Sequence, residues 1–243
     1  MKPAGNAQIF EGNPFDQHTD SRHQYGAKMF MANGDIFRYT KGASTDFVAG
    51  YLYTGLSRED NHQNITVAAT TAVGDTKIVV DAGATAVDAN EYDQGWLIFN
   101  DNSPEGEIYQ ITSHEANAGS LETDIYVDPA LKTIATVDSS EVALVRNTWN
   151  GPAISQLIAE PAAGVAVQDW DVSVAEFGWL KTRGMASLIA DTSGVTVGYV
   201  ACISNQVDGA GGVYSDVDAE VPIGQYMDAG TAGEFNPINL YID

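Results

Sequence analysis

Apolar and polar residues alternate with a period of two along much of this chain, the pattern of strands with one buried face, and the runs are short. Residues 25–31 and 35–39 flank Asn33-Gly34, the strongest short-range hairpin signal, and 47–53 adds a further strand. A polar run at 57–64 reads as a linker. Strands at 65–69 and 76–80 follow, joined by a turn at Val73-Gly74-Asp75. Residues 96–99 and the alternating 107–112 bracket turn-forming residues 100–106, and 121–127 and 141–145 continue the series. Beyond Asn150-Gly151-Pro152 the predicted strands are 164–167, 172–180, 186–189, 195–203, 222–227 and 237–242, with a long glycine-rich, acidic loop over 205–220. Only 82–92 and 156–163 could hold a short helix, and neither carries an amphipathic stripe.

This pattern predicts an all-β fold of sandwich or barrel modules with little helix. Three segments are expected: an N-terminal arm and hairpin anchor (1–58), a β domain (59–149) and a C-terminal β domain (150–243). Residues 1–23 show no periodicity and read as an extended arm. At 243 residues with 44% hydrophobic content, the chain can bury a core without disulfides or metals. No apolar stretch is long enough to span a bilayer, and the N-terminus lacks the apolar core of a secretory signal. The expectation is synthesis in a cytoplasm and release by another route.

Charge sharpens the reading. The chain carries 11 bases against 33 acids, −22 in all, unevenly spread along the sequence. Residues 1–58 hold six bases and five acids; residues 59–243 hold five bases and 28 acids. Nucleic acid and anionic membrane are disfavoured as partners, because both are bound chiefly through Lys and Arg. The near-neutral first quarter is either a solubility accident or an anchor for an acidic partner.

Candidate chemistry is sparse. Cys202 stands alone inside an apolar run, so no internal disulfide is possible. His18, His23, His62 and His114 are scattered, without the spacing of a helical metal pair. Asp101-x-Ser103-x-Glu105-Gly106-Glu107 resembles half a calcium loop, but Thr112 sits where the bidentate acid belongs, and a hairpin turn explains the same residues better. Asp169 and Asp171 flank Trp170, a weak carboxylate pair in so acidic a chain. No nucleophile elbow or phosphate loop is present. No enzyme and no cofactor are expected.

Three stretches carry a resemblance. Asn33-Gly34-Asp35-Ile36-Phe37-Arg38-Tyr39 with Phe47-Val48-Ala49-Gly50-Tyr51-Leu52 is similar to the N-terminal "DG-x-x-F-R-Y … L-x-A-G-x-L" of virion structural proteins of tailed phages. Phe177-Gly178-Trp179-Leu180-Lys181-Thr182-Arg183-Gly184, followed by 186–191, is similar to their "F-x-W-L-Q-T-R-G-P-A-x-x-L-x-D", with Lys181 for Gln and Met185 for Pro. The ending through Leu240-Tyr241-Ile242-Asp243 resembles their closing "V-x-L-x-I-D". The resemblance implies a head decoration (cement) protein on the outer capsid surface, homotrimeric and clamping the major capsid protein. Arg22, Lys28, Arg38, Lys41, Trp179 and Arg183 are the candidate subunit or capsid interface, with alternation along its strand favouring core for Trp179, and Arg183 expected to pair with a carboxylate either in the turn after Trp179 or across a subunit boundary. A carbohydrate-binding β module and a tail or baseplate component are the alternatives.

Overall fold

A computed structural model describes residues 12–43, 45–83, 85–119, 122–155, 161–174, 176–191, 194–215 and 221–243. The chain is nearly all β, as its alternation predicts. The strands are β1 (Lys28–Phe30), β2 (Ile36–Lys41), β3 (Leu52–Thr54), β4 (Ile65–Thr66), β5 (Lys77–Asp81), β6 (Trp96–Asp101), β7 (Ile108–His114) and β8 (Glu122–Asp128), followed by β9 (Glu141–Val145), β10 (Ala153–Ile154), β11 (Ala162–Val165), β12 (Phe177–Ile189), β13 (Val200–Ile203), β14 (Gly211–Val213), β15 (Pro222–Tyr226) and β16 (Phe235–Tyr241). Residues 85–92 form turns rather than a helix, and 156–160 lie outside the described residues. Among the described residues no helix is long and apolar enough to cross a membrane.

The chain divides into two compact units, one of Ser57–Asn150 and one of Met1–Leu56 with Gly151–Asp243. The first and last segments separated by sequence therefore belong together, because β2 pairs with β12 over Phe177↔Lys41 to Arg183↔Ile36. The middle unit is an insertion between β3 and β10. Its ends are held close by Arg146, whose guanidinium donates to the Ser57 carbonyl (2.5 Å) and to the Glu91 carboxylate. Proximity of its ends is what an inserted unit requires.

In the inserted unit the sheet order is β4-β9-β6-β7-β8-β5. A Val67↔Val80 bridge, with Ala68 N–H donating to the Val79 carbonyl at 2.8 Å, returns β5 to the end of β4 and closes a barrel. Closure removes sheet edges. Alternation then sends Ile78, Val80, Leu97, Phe99, Tyr109, Ile111, Ile125 and Val127 inward. His62 joins them, fully buried. Its Nε2 donates to the Thr85 carbonyl at 3.2 Å, which leaves Nδ1 to accept from the Tyr92 hydroxyl at 2.5 Å.

The other unit is organised by β12. Sequence predicts two strands there, 172–180 and 186–189; the structure has one of thirteen residues. Its first half pairs with β2 and its second half with β16, over Arg183↔Tyr241 to Ile189↔Phe235. From β16 the sheet runs through β15 and β13 to β14, and an Ala190↔Gly211 bridge brings β14 back to the end of β12. Leu188, Ala201, Ile223, Tyr226, Ile238 and Leu240 fill this second curl. A separate aromatic cluster of Met29, Phe37, Tyr39, Phe177 and Trp179 lies where β1, β2 and β12 meet.

Residues 12–23, the described part of the expected arm, have no ladder of their own yet are fastened to this cluster. His18 and Phe177 exchange backbone hydrogen bonds at 2.8 and 2.9 Å. The Arg22 N–H donates to the Tyr39 hydroxyl, and the His23 ring packs against Tyr39 and Trp179 at 4.9 and 5.5 Å.

Candidate functional site

Two features of the β12 unit stand out, one ionic and one apolar. The ionic feature begins with the Asn33-Gly34 turn. Met31 and Asp35 close a three-residue loop, with Gly34 at φ +91° in the left-handed position such a loop needs. Asn33 Oδ1 accepts from the Asp35 N–H, which fixes Asp35 at the start of β2. Facing it on β12 is Lys181, buried, whose ammonium donates to Asp35 Oδ2 at 2.6 Å and to the Met185 carbonyl, and lies 5.5 Å from the Phe37 ring centre. Gly184, at φ +95°, leaves the room Asp35 occupies: a Cβ there would sit 1.9 Å from Asp35 Oδ1.

On the other side of Thr182, β16 runs out beside β12, and the Ile242 N–H donates to the Thr182 carbonyl. Asp243 is thereby delivered to β2. Its carboxylate accepts from Arg38 Nε (2.7 Å) and Nη2 (2.6 Å), a bidentate fork, and from Thr182 Oγ1 (3.1 Å), with Lys28 Nζ at 3.2 Å. Arg38 also donates to the Gly26 carbonyl at 2.5 Å. Burial pushes the Asp243 carboxyl up, but the hydrogen bonds and charges of Arg38 and then Lys28 outweigh it and hold the group below its ordinary range.

The six candidate interface residues thus have different placements. Lys28 and Arg38 are both engaged inside the chain by the Asp243 carboxylate, which offsets one of their two charges. Trp179 is 7% exposed and belongs to the aromatic cluster. Arg22 is exposed and Lys41 half-buried. Arg183 is exposed, and among the described residues no ion pair includes it, so of the two expected pairings the one across a subunit boundary is left open. The neutral first quarter also disappears in three dimensions. The β12 unit holds seven bases and seventeen acids, the inserted unit four and sixteen.

The apolar feature lies on the outward face of the sheet. Met185, Phe235, Tyr241, Val200, Tyr214 and Met227 are all exposed there, the first two by 53% and 52%. The positions between them, Ser187, Asn239 and Gln225, are polar but uncharged. Beside Phe235 a groove of about 650 Å³ runs between Gly50 and Val167 on one side and Met185, Phe235 and Pro237 on the other, with no charged residue in its lining. Gly50 matters here, since a Cβ would stand 2.5 Å from the Phe235 ring. None of the six candidate interface residues except Arg183 lies on this face. Its signal was present: outward positions of 183–189 and 235–241 that hold Met, Phe and Tyr and no acid.

Among the described residues no three His, Cys, Asp or Glu side chains converge as metal ligands. The turn resembling half a calcium loop uses its acids locally: the Asp101 carboxylate accepts from the Asn102 N–H, and the Glu107 carboxylate takes the Thr133 hydroxyl at 2.6 Å and the Tyr109 hydroxyl. Comparison with models of known protein families, with curated proteins and with solved structures finds no match to this chain.

Proposed function

We propose that the chain is a structural component of a phage particle, a decoration protein that binds the outer surface of the capsid shell through the major capsid protein. One observation carries the reading beyond the resemblance itself. The three stretches that resemble phage virion proteins are sequence-distant, yet they form β2, β12 and β16, adjacent in one sheet. Arg38 from the first, Thr182 from the second and Asp243 from the third converge on one set of hydrogen bonds. Residues that must meet are expected to recur together, which supports reading the resemblance as one of scaffold. An acid-free apolar sheet face gives a highly acidic chain a surface that a protein partner can approach.

Co-sedimentation of the purified protein with capsid shells of the phage that encodes it tests the proposal. Saturable binding at a fixed ratio to the major capsid protein is expected; absence of binding to mature shells contradicts it. Glycan binding is the second reading, favoured by exposed Tyr214 and Tyr241 as stacking platforms. Polysaccharide pull-down separates the two.

A further inference from the structure

The outward positions of β12, β16, β15 and β13 include no carboxylate, although the chain has 33 acids. The face is nevertheless polar end to end. Arg183, exposed and outside every ion pair among the described residues, stands at the Tyr241 end. At the other end, exposed Glu234 precedes Phe235 and exposed Asp228 follows Met227. Arg183 and Ile189 are six residues apart on β12, and Ile189 pairs with Phe235, so the two ends are separated by about 20 Å.

We propose that this face packs against the same face of a second copy, with the two-fold axis lying across the strands. That orientation reverses strand direction between copies, so Arg183 of each meets Glu234 and Asp228 of the other. A two-fold axis along the strands would instead bring like charges together. Only an isologous contact makes both pairings at once. The apolar positions between the ends then cover one another, and the uncharged groove beside Phe235 takes side chains from the facing copy. Because the sheet curls, only the three adjacent strands β12, β16 and β15 face one partner together; about 4.8 Å apart and about 20 Å long, they present roughly 300 Å² per copy, against about 800 Å² in a standard interface. The pair is therefore weak and concentration-dependent. The resemblance to decoration proteins implies three-fold assembly; the polarity of this face specifies a pair.

Sedimentation velocity of the full chain across the micromolar range, at moderate salt, tests this without any capsid. A reversible monomer–dimer equilibrium is expected. Met185→Asp and Phe235→Asp each weaken it by about tenfold or more, as buried apolar contact positions do. Val73→Asp, at an exposed apolar position of the inserted unit, leaves it unchanged. Arg183→Glu also weakens the pair, and adding Glu234→Arg to it restores association, an outcome that misfolding cannot mimic. A strict monomer at the highest concentration, a trimer, or a dimer indifferent to Met185→Asp and Phe235→Asp overturns the proposal.

Discussion

Replacing Asp243 with Asn is the most informative single change to the scaffold. The substitution keeps the shape but removes the charge and one acceptor, and turns an amide towards Arg38 and Lys28. The Asp243 and Arg38 side chains are 15% and 18% exposed, so the pair is neither a surface bridge nor a fully desolvated one. Exposed pairs contribute about 0–1 kcal/mol, and breaking a buried one costs about 3–5 kcal/mol. The bidentate geometry and the extra Thr182 hydroxyl place this case between them, at about 2–3 kcal/mol. The loss should appear as a lower urea midpoint for the β12 unit, followed by Trp170 and Trp179 fluorescence in a background with Trp96 and Trp149 of the inserted unit replaced by Phe, with the slope unchanged. Because the Asp243 carboxyl is held below its ordinary value, its contribution is complete above the unfolded pKa of about 4 and is lost as pH falls through the folded value. Parent and variant should therefore differ at neutral pH and converge in acid. A variant with the parent's midpoint at neutral pH, or a difference that persists undiminished in strong acid, would contradict the stabilising role of the Asp243 carboxylate.

Other outcomes follow from the same contacts. Asp35→Asn strands the buried Lys181 ammonium and should cost about 3–5 kcal/mol, most of it recovered by adding Lys181→Met; equal stability of the single and double variants would contradict the pairing. Burial first, then the charges of His18 and Arg22, lowers the His23 pKa, so its proton titration by NMR should have a midpoint below about 6.5. That depression favours the fold above the unfolded pKa and is lost as pH falls, so amide protection factors over 12–25, corrected for intrinsic exchange, should fall in mild acid; a His23 midpoint above about 6.5 would count against it. The Tyr226 hydroxyl is buried without a hydrogen-bond partner among the described residues, so Tyr226→Phe should match or exceed the parent's melting temperature; a loss beyond about 1 kcal/mol would show a partner.

Local signals were legible in the sequence, and distant ones were not. Asn33-Gly34 marks its hairpin because the requirement is local: Gly34 takes the left-handed position and Asn33 Oδ1 accepts from the Asp35 N–H. The barrel strands are readable because one buried face imposes alternation, as at Tyr109 and Ile111. β12 was broken in two because Lys181-Thr182-Arg183-Gly184 looks like a polar turn. Lys181 and Thr182 are in fact buried, and what satisfies them, Asp35 and Asp243, lies 146 and 61 residues away. The same distance hid the union of the first and last segments. It also made the bases at 28 and 38 look available, when an acid at position 243 already holds them. The acid-free face was overlooked because a search for opposite charge does not register where charge is missing.

If the protein coats a phage shell, as proposed, its copy number in the particle must match the shell. Quantitative gel densitometry of purified virions, scaled to the major capsid protein, should give hundreds of copies per particle in a fixed ratio to the shell subunit. Absence from the virion, or a few to dozens of copies as a tail or baseplate component would show, would contradict it.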